Sequence, residues 1–227
     1  MNSTFNRDLV CIIIVMTFFL KLKTIVLSWL VNFFNPVNTH NLSKFIAIKN
    51  IWSNIKMDNI QGDYIEFGIF KGKTLFHNIK TTNKFQIKNI NFYGLDSFEG
   101  FPVENHDFFK NKNFITSYDL VESNFKKFNN VYIIKGFFHE TLKKETLINI
   151  NSISFAFVDC DIYESSIDLF KYLNNRIVIG GFIMIDDFTS VDNNNNSIFK
   201  SFLENFEHEN FIFYASYSNG HIYRKIK

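Results

Sequence analysis

Two stretches decide the fold: Phe157-Val-Asp-Cys-Asp-Ile-Tyr163 and Phe182-Ile-Met-Ile-Asp-Asp-Phe188. Each is a short apolar run that ends in paired acids, and a run rich in Ile, Val and Phe is typical of a buried strand. Acids that follow such a strand lie at its carboxyl end, the edge where open α/β sheets hold their ligands. Neighbouring strands are about 4.8 Å apart. If these two are neighbours, their carboxylates crowd together and need a proton or a cation between them. We therefore expect a divalent metal among Asp159, Asp161, Asp186 and Asp187.

Length and composition indicate one α/β domain with a sizeable core, because 46% of the 227 residues are hydrophobic. The net charge of +2 gives no electrostatic footprint for nucleic acid, so we predict no nucleic-acid partner. The two cysteines, Cys11 and Cys160, form no metal-finger or Cys-x-x-Cys pattern, which favours a reducing, cytoplasmic compartment. Strand alternation predicts that Cys160 is a small buried side chain on the face opposite its acidic neighbours.

The N-terminal segment, residues 1–35, is treated apart from a domain over 36–227. Residues 9–34 are apolar except where Lys21 and Lys23 interrupt them. One span across the whole segment would place both lysines mid-helix at about 2.5–3.5 kcal/mol each, and either half alone is shorter than the roughly 20 residues of a span. A helix packing on the domain or on a second subunit is one prediction, with a homo-oligomer as its consequence. Membrane-surface contact, or a span or signal anchor, are the alternatives.

Strands and helices then alternate. The apolar spacing predicts a helix over 41–57 that covers the sheet. It predicts strands over 64–68, 90–96, 131–134, 153–158 and 177–185, and helices from 74 to 80, 117 to 127, 165 to 173 and 197 to 206. Ser165 or Ser166 is a candidate cap. Two strand-like runs, 211–216 and 221–226, flank Ser218-Asn-Gly220, a strong hairpin signal. The pattern predicts a doubly wound, mostly parallel α/β sheet with helices on both faces and a C-terminal antiparallel hairpin.

The glycine loop Glu66-Phe-Gly-Ile-Phe-Lys-Gly72 ends the first strand and opens a helix, an arrangement that brings the backbone close to a ligand. Glu66 would repel a pyrophosphate and suits a ligand that carries an ammonium or sulfonium. Asp96 ends the second strand at about the spacing of an acid that bonds ribose hydroxyls. Together these features point to an adenosine-type cofactor. Taken alone, each motif has an alternative interpretation without a ligand: the glycines of the loop would only form a turn, and Glu66 and Asp96 would be solvated acids.

Five motifs in order carry a family resemblance. They are Gly62-Asp-Tyr-Ile-Glu-Phe-Gly-Ile-Phe-Lys-Gly-Lys-Thr74, Phe92-Tyr-Gly-Leu-Asp-Ser-Phe-Glu-Gly-Phe-Pro102, Lys135-Gly-Phe-Phe-His-Glu-Thr-Leu142, Val158-Asp-Cys-Asp-Ile-Tyr-Glu-Ser-Ser166 and Gly180-Gly-Phe-Ile-Met-Ile-Asp-Asp-Phe188. The set, over roughly residues 60–190, resembles the macrocin O-methyltransferase family of class I S-adenosylmethionine-dependent methyltransferases. The resemblance implies a Rossmann-like, seven-stranded sheet in the order 3-2-1-4-5-7-6.

The resemblance also implies roles for particular residues. S-adenosylmethionine would bind at Glu66, Gly68, Gly72 and Thr74 on its methionine side, at Asp96 through its ribose, and at Ser97 and Phe98 beside its adenine. Mg²⁺ would be bound by Asp159, Asp186 and Asp187, and Asp161 would be the base. The polar run Asp192-Asn-Asn-Asn-Asn196 stands where relatives carry a longer acceptor-binding segment, so the acceptor stays open.

The chemistry of these side chains agrees with O-methylation. Carboxylates without a Cys or His cluster select a hard ion such as Mg²⁺, and a cation lowers the pKa of a bound hydroxyl. We expect the acceptor to be a small molecule or glycan, with the hydroxyl on a sugar of a glycosylated metabolite or surface glycan. His139 would be a second base, an acceptor contact or a surface residue, and Tyr163 would line the acceptor cleft or pack beneath it.

Three alternatives stay open. Asp159-Cys-Asp161 also fits the Asp-x-Asp of a metal-dependent glycosyltransferase, although Glu66 would then face phosphates. A non-catalytic scaffold with the same fold is the second alternative, and a methyltransferase that needs no metal is the third.

Overall fold

The computed structural model describes residues 17–30, 33, 36–104 and 110–227, and it divides the chain into two compact units, Met1–Leu42 and Ser43–Lys227. Of the predicted N-terminal segment, residues 1–16, 31–32 and 34–35 lie outside the described part, and the proposed boundary at residue 35 stays a prediction. Residues 17–30 form helix α1, whose apolar side chains, Trp29 among them, are exposed. None of the helices in the described part of the chain reaches the length and hydropathy of a membrane span.

The helices and strands after α1 alternate as predicted. The helices are α2 (Pro36–Met57), α3 (Lys73–Lys84), α4 (Asn111–Phe114), α5 (Tyr118–Phe125), α6 (Phe138–Thr141), α7 (Glu145–Ile148), α8 (Tyr163–Leu173) and α9 (Ile198–Asn205). The strands are β1 (Asp63–Phe67), β2 (Phe92–Asp96), β3 (Val131–Lys135), β4 (Ile153–Val158), β5 (Ile177–Ile185), β6 (Phe211–Tyr217) and β7 (Gly220–Lys225).

The seven strands form one sheet in the order β3-β2-β1-β4-β5-β7-β6. Strands β1 to β5 pair in parallel, and β7 pairs antiparallel with both β5 and β6. The predicted doubly wound sheet with its C-terminal hairpin is therefore confirmed, strand order included. Because β1 lies between β2 and β4, the crevice of this topology opens at the carboxyl ends of β1 and β4.

The central strand β4 is buried on both faces of the sheet, which explains why it reads as a continuous apolar run. Its side chains alternate between two cores: Ala156 and Val158 pack on the side of α8 and α9, whereas Phe155 and Phe157 pack on the side of α2 and α3. The expectation that α2 covers the sheet is confirmed, since Trp52 is fully buried in the second core.

Three local predictions need correction. The helix predicted over 41–57 begins earlier, at Pro36, in agreement with the tolerance of proline in a first helical turn. Neither Ser165 nor Ser166 caps α8, because the helix starts earlier, at Tyr163, and the Ser166 hydroxyl donates to the carbonyl of Tyr163 at 2.7 Å. The hairpin turn is Ser218 and Asn219, with Gly220 already the first residue of β7.

Candidate functional site

The carboxyl edge of the sheet concentrates strained backbone. A non-glycine residue with positive φ follows each of β1, β2, β4 and β5: they are Phe70 (48°), Phe98 (60°), Asp161 (64°) and Asp187 (44°). Such residues cost free energy and are concentrated at functional sites. Each sharp turn redirects the chain directly after a strand, so that several loops converge on one edge.

A cleft of about 660 Å³, including its open mouth, lies at this edge. Its lining brings together residues predicted for different ligands: Gly68, Asp96 and Ser97 from the cofactor set, with Asp159 and Asp161 from the acidic set. Phenylalanines, among them Phe70 and Phe137, form an apolar wall. An apolar wall with a few convergent polar groups is typical of a small-molecule site.

Asp96 fixes the two loops that shape the cofactor side of the cleft. Its Oδ1 accepts the backbone N–H of Phe98 at 2.7 Å, and its Oδ2 accepts that of Phe70 at 2.8 Å. Burial raises the pKa of Asp96, and the two N–H donors oppose that rise. The neighbouring Ser97 hydroxyl donates to the Gly100 carbonyl at 2.6 Å and so closes the loop after β2. A carboxylate held in this way has a fixed direction, as recognition of a ribose hydroxyl requires.

The other predicted cofactor residues lie away from the cleft surface. Glu66 and Phe98 are only 1% and 2% exposed. In the described part of the chain, the residues that line the cleft do not include Glu66, Gly72, Thr74 or Phe98. Gly72 has φ 73° at the start of α3, where an added Cβ would lie 2.6 Å from the ring of Phe125. These residues support the loop from behind, and their contact with a cofactor stays a prediction.

Glu66 is held by a buried chain of hydrogen bonds. Trp52 donates to Asn78 at 2.7 Å, Asn78 donates to the Tyr64 hydroxyl at 2.8 Å, and Tyr64 donates to Glu66 at 2.6 Å. Burial raises the pKa of Glu66 to about 8, although the Tyr64 hydrogen bond opposes that rise. These three hydrogen bonds connect α2, α3 and β1 directly behind the cleft.

Removal of one hydroxyl tests this buried chain. We expect Tyr64→Phe to lower the free energy of unfolding by about 1–3 kcal/mol, because Glu66 and Asn78 each lose a partner in the core. Urea denaturation measures the loss. Tyr132→Phe, which removes the same group from an exposed residue of β3, is the matched control and should change stability by less than about 0.5 kcal/mol. Equal losses in the two variants would contradict a special role of the Tyr64 hydroxyl.

Three acids converge at the ends of β4 and β5. Carboxylate oxygens of Asp159, Asp161 and Asp187 all lie within 4.8 Å of one another. Burial raises the pKa of Asp159 to about 7, with Lys44 opposing and the neighbouring acids adding to the rise. Burial also raises the pKa of Asp161, and Asp159 and Asp187 add to that rise. Oxygen donors that repel one another in this way fit a hard divalent cation such as Mg²⁺.

Asp186 lies beside that cluster, where its charge helps to raise the pKa of Asp159. It is 1% exposed and forms an ion pair with Lys44 of α2, whose ammonium also lies 3.1 Å from Asp159. Burial lowers the pKa of Lys44, but the two carboxylates outweigh it and raise the value above that of an ordinary lysine. Of the predicted metal ligands, the structure thus brings Asp159 and Asp187 together with the predicted base, Asp161, rather than with Asp186. All of these ligand and base roles stay predictions.

Two residues left open by the sequence have clear positions. His139 lies on α6 at the cleft lining, with its ring stacked on Phe137 at 6.0 Å and its side chain half exposed. Tyr163 lies outside the cleft lining, and its hydroxyl donates to Glu204 of α9 at 2.6 Å. That hydrogen bond, with burial, raises the pKa of Tyr163 to about 12. His139 can therefore reach a bound molecule, whereas Tyr163 joins two helices.

The model of one protein family, macrocin-O-methyltransferase (TylF), matches residues 41–212. The chain belongs to this family. The suspected resemblance is therefore confirmed, over a longer stretch than the five motifs cover.

Other known proteins are similar to this chain in sequence or in fold. Demethyldecarbamoylnovobiocin O-methyltransferase from Streptomyces niveus is 23% identical over 170 residues, which are 67% of this chain and 64% of that protein. The match therefore spans somewhat less than two thirds of the curated relative. The solved O-methyltransferase NovP has a TM-score of 0.66 at 18% identity, covering 82% of this chain and 80% of its own. CalS11, described as a TDP-rhamnose 3'-O-methyltransferase, has a TM-score of 0.63 at 12% identity over 82% and 80% of the two chains.

Sequence reasoning missed three side chains at this candidate site. Lys44 lies at a helical spacing from Ile48, Ile51 and other buried residues of α2. A lysine on an apolar helix face is the sequence signal that could have indicated a buried, paired charge. Tyr64 shares a face of β1 with Glu66 because strand residues alternate. Asn219, at the hairpin tip, donates to the Asp187 carboxylate. No sequence signal connects that turn to the acids.

Proposed function

We propose that this chain transfers the methyl group of S-adenosylmethionine to a hydroxyl group of a sugar-bearing acceptor, with Mg²⁺ at the acidic edge. The observation that carries the proposal is that Asp96 and Gly68 line the same cleft as Asp159 and Asp161. A methyl donor and an acceptor must occupy one cavity for direct transfer. Family membership supports the reaction class, and the name of CalS11 supports a sugar acceptor.

The two sides of the cleft would have different roles, one in binding the methyl donor and the other in binding the cation and the acceptor. Asp96 would orient the ribose from the loop after β2, and the apolar wall would exclude water from the methyl group. Asp159 and Asp187, with Asp186 as the third predicted ligand, would hold Mg²⁺, which when bound lowers the pKa of a hydroxyl and fixes its direction. Asp161, which lines the cleft, would take the proton of the acceptor hydroxyl. Holding donor and acceptor in line supplies much of the remaining rate.

Equilibrium binding separates this proposal from a glycosyltransferase or a scaffold. We expect isothermal titration calorimetry to give saturable binding of S-adenosylmethionine, and no saturable binding of a UDP-sugar in the presence of Mg²⁺. Asp96→Ala should weaken binding at least tenfold, because the loops after β1 and β2 lose their shared acceptor. Glu99→Ala, in the same loop but exposed, is the control and should bind as the unchanged protein does. Binding of the UDP-sugar alone would overturn the proposal.

Transfer of a labelled methyl group from S-adenosylmethionine identifies the class of acceptor. A panel of hydroxylated sugars, sugar nucleotides and glycosylated metabolites, incubated with methyl-labelled S-adenosylmethionine, should yield labelled product for at least one sugar-bearing compound. Labelling confined to compounds without a sugar would contradict the acceptor class and leave the reaction class intact.

Residues 9–34 stay the predicted contact segment, for a membrane surface or for a second copy of the chain. The exposed apolar side chains of α1 support a contact of this kind, and Lys21 and Lys23 in the same helix favour an anionic surface.

A further inference from the structure

A second cavity lies between helix α2 and the C-terminal hairpin. It is a groove of about 540 Å³, including its open side. In the described part of the chain it is lined by Ser43, Ile46, Ala47 and Asn50 of α2, by Tyr214, Ala215, Ser216 and Tyr217 of β6, and by Ile222 of β7. None of these side chains is an acid or a base, and Ile46 presents its apolar side chain to the groove while 54% exposed. The groove therefore fits an uncharged, apolar group.

A β-bulge closes one end of this groove. The register of β6 against β7 shifts between Phe213 and Ala215, so that Tyr214 is the extra residue. The Tyr214 hydroxyl accepts a hydrogen bond from Asn54 of α2 at 2.9 Å, and its ring meets that of Phe182 edge-on at 5.1 Å. Bulges are common beside functional sites, where they redirect a side chain. A ligand in the groove therefore extends toward the other end.

The other end of the groove lies beside the acids of the sheet edge. Ser43 and Tyr217 line it there. Ser43 directly precedes the lysine whose ammonium lies 3.1 Å from Asp159. Burial raises the pKa of Tyr217, and the nearby charge of Asp186 adds to that rise. The tip of the hairpin follows Tyr217 and donates a hydrogen bond to Asp187. A sugar attached to a group in the groove thus comes next to the acids.

Helix α1 gives an independent reason to expect a lipid. Its exposed apolar side chains include Phe18, Ile25 and Trp29, and its two charged residues, Lys21 and Lys23, are both cations. An apolar helix that carries cations and no acid suits a layer of anionic lipids. A protein held at such a layer meets sugars that are attached to lipids.

We propose that the groove binds the hydrocarbon part of a lipid-linked sugar and thereby directs a hydroxyl of that sugar to the acids. This inference rests on the proposed function and narrows its acceptor to a glycolipid. A sugar nucleotide does not fit the same place, because its diphosphate would lose water in the groove without gaining a cation. A hydrocarbon chain gains affinity there, since each methylene group that enters the groove leaves water.

Two glycosides that differ only in chain length measure this gain. We expect isothermal titration calorimetry of the full chain to show at least tenfold tighter binding of octyl glucoside, kept below its micelle concentration, than of methyl glucoside. Ile46→Lys places a charge in the groove and should weaken binding of octyl glucoside at least fivefold. Ile148→Lys is the matched control, because Ile148 of α7 is 49% exposed and lies outside the groove. It should stay within about twofold of the unchanged protein.

The comparison of the two substitutions locates the binding. Equal affinities for the two glycosides would overturn the inference. So would binding of octyl glucoside that Ile46→Lys and Ile148→Lys change equally, since the hydrocarbon chain would then lie elsewhere, for example on α1.

A second copy of the chain is the rival occupant of the groove. Analytical ultracentrifugation should give the unchanged protein and Ile46→Lys the same mass. A dimer that Ile46→Lys dissociates would make the groove an interface between copies and would overturn the inference.

Methyl transfer keeps this inference separate from the proposed function. For the sugars that accept a labelled methyl group, the octyl glycoside should have a KM at least tenfold below that of the methyl glycoside, with kcat within about threefold. Ile46→Lys should raise the KM of the octyl glycoside alone. Transfer with equal KM values would defeat only the role of the groove. If S-adenosylmethionine does not bind, the proposed function fails, and the calorimetry still decides whether the groove holds a hydrocarbon chain.

Discussion

Asp161→Asn is expected to lower the turnover number by a factor of about 10²–10⁴, the usual contribution of a positioned general base. Asparagine has nearly the same shape and tolerates the left-handed conformation that Asp161 adopts at φ 64°, so the turn after β4 should persist. What is lost is the ability to accept a proton. Turnover is measured as transfer of labelled methyl groups to the acceptor, at saturating Mg²⁺ because Asp161 also adjoins the cation site.

The pH dependence gives the same prediction an independent readout. A base acts in its deprotonated form, and burial together with Asp159 raises the pKa of Asp161 above that of an ordinary aspartate. In the protein without Mg²⁺, the Asp161 carboxyl should therefore titrate above the range of an ordinary aspartate, and bound Mg²⁺ should lower its pKa. An NMR titration of the unchanged protein with and without Mg²⁺ measures both.

A matched acid in the same cleft serves as the control. Asp168 of α8 also lines the cleft but is exposed, and Asp168→Asn should reduce turnover less than about threefold. Binding of S-adenosylmethionine should be the same in both variants. Turnover of Asp161→Asn within threefold of the unchanged protein would remove Asp161 from the role of base.

The fold could be predicted because its signals are local. The continuous apolar run of β4 requires burial on both faces, and the acids that follow β4 and β5 mark their carboxyl ends. Parallel pairing of neighbours then places these ends at one edge, as the structure has them. Strand order came from the family resemblance, since a run of residues such as Ile177–Ile185 does not specify its neighbours.

The details of the site could not be predicted to the same depth, because they depend on side-chain direction. Asp186 and Asp187 are adjacent in sequence, yet one points to Lys44 in the core and the other joins the acid cluster. The positive φ of Asp187, 44°, is what turns the chain between them, and nothing in the pattern of residues reports it. Lys44 likewise lies on an apolar helix face where sequence periodicity predicts a hydrophobic residue.

Gly68→Ala is expected to be the most destabilising single substitution at the site, with a loss of about 3–5 kcal/mol in the free energy of unfolding. Gly68 has φ 88°, which alanine adopts only at a cost, and an added Cβ would overlap the carbonyl oxygen of Asp159 and lie 2.8 Å from its carbonyl carbon. The obstacle is backbone, so no rotamer change relieves it.

The surrounding hydrogen bonds prevent the two strand ends from moving apart. The Gly68 N–H donates to Leu95 of β2 at 2.8 Å, and the Asp159 N–H donates to Phe67 of β1 at 2.9 Å. Relief of the overlap would therefore break the pairing at the cleft floor and displace Asp159. Variants that still fold should bind Mn²⁺ and S-adenosylmethionine more weakly as well.

Gly94→Ala is the matched control for this close approach. Its added Cβ would meet side-chain atoms, with the Cδ2 of Leu75 at 2.9 Å, and its φ is not in the left-handed region. Because a side chain can shift where a carbonyl cannot, we expect a loss of only about 1–2 kcal/mol. Urea denaturation compares the two variants. A smaller loss for Gly68→Ala than for Gly94→Ala would mean that β1 and β4 do not approach so closely at the cleft. The proposal that one cavity holds donor and acceptor would then lose its structural basis.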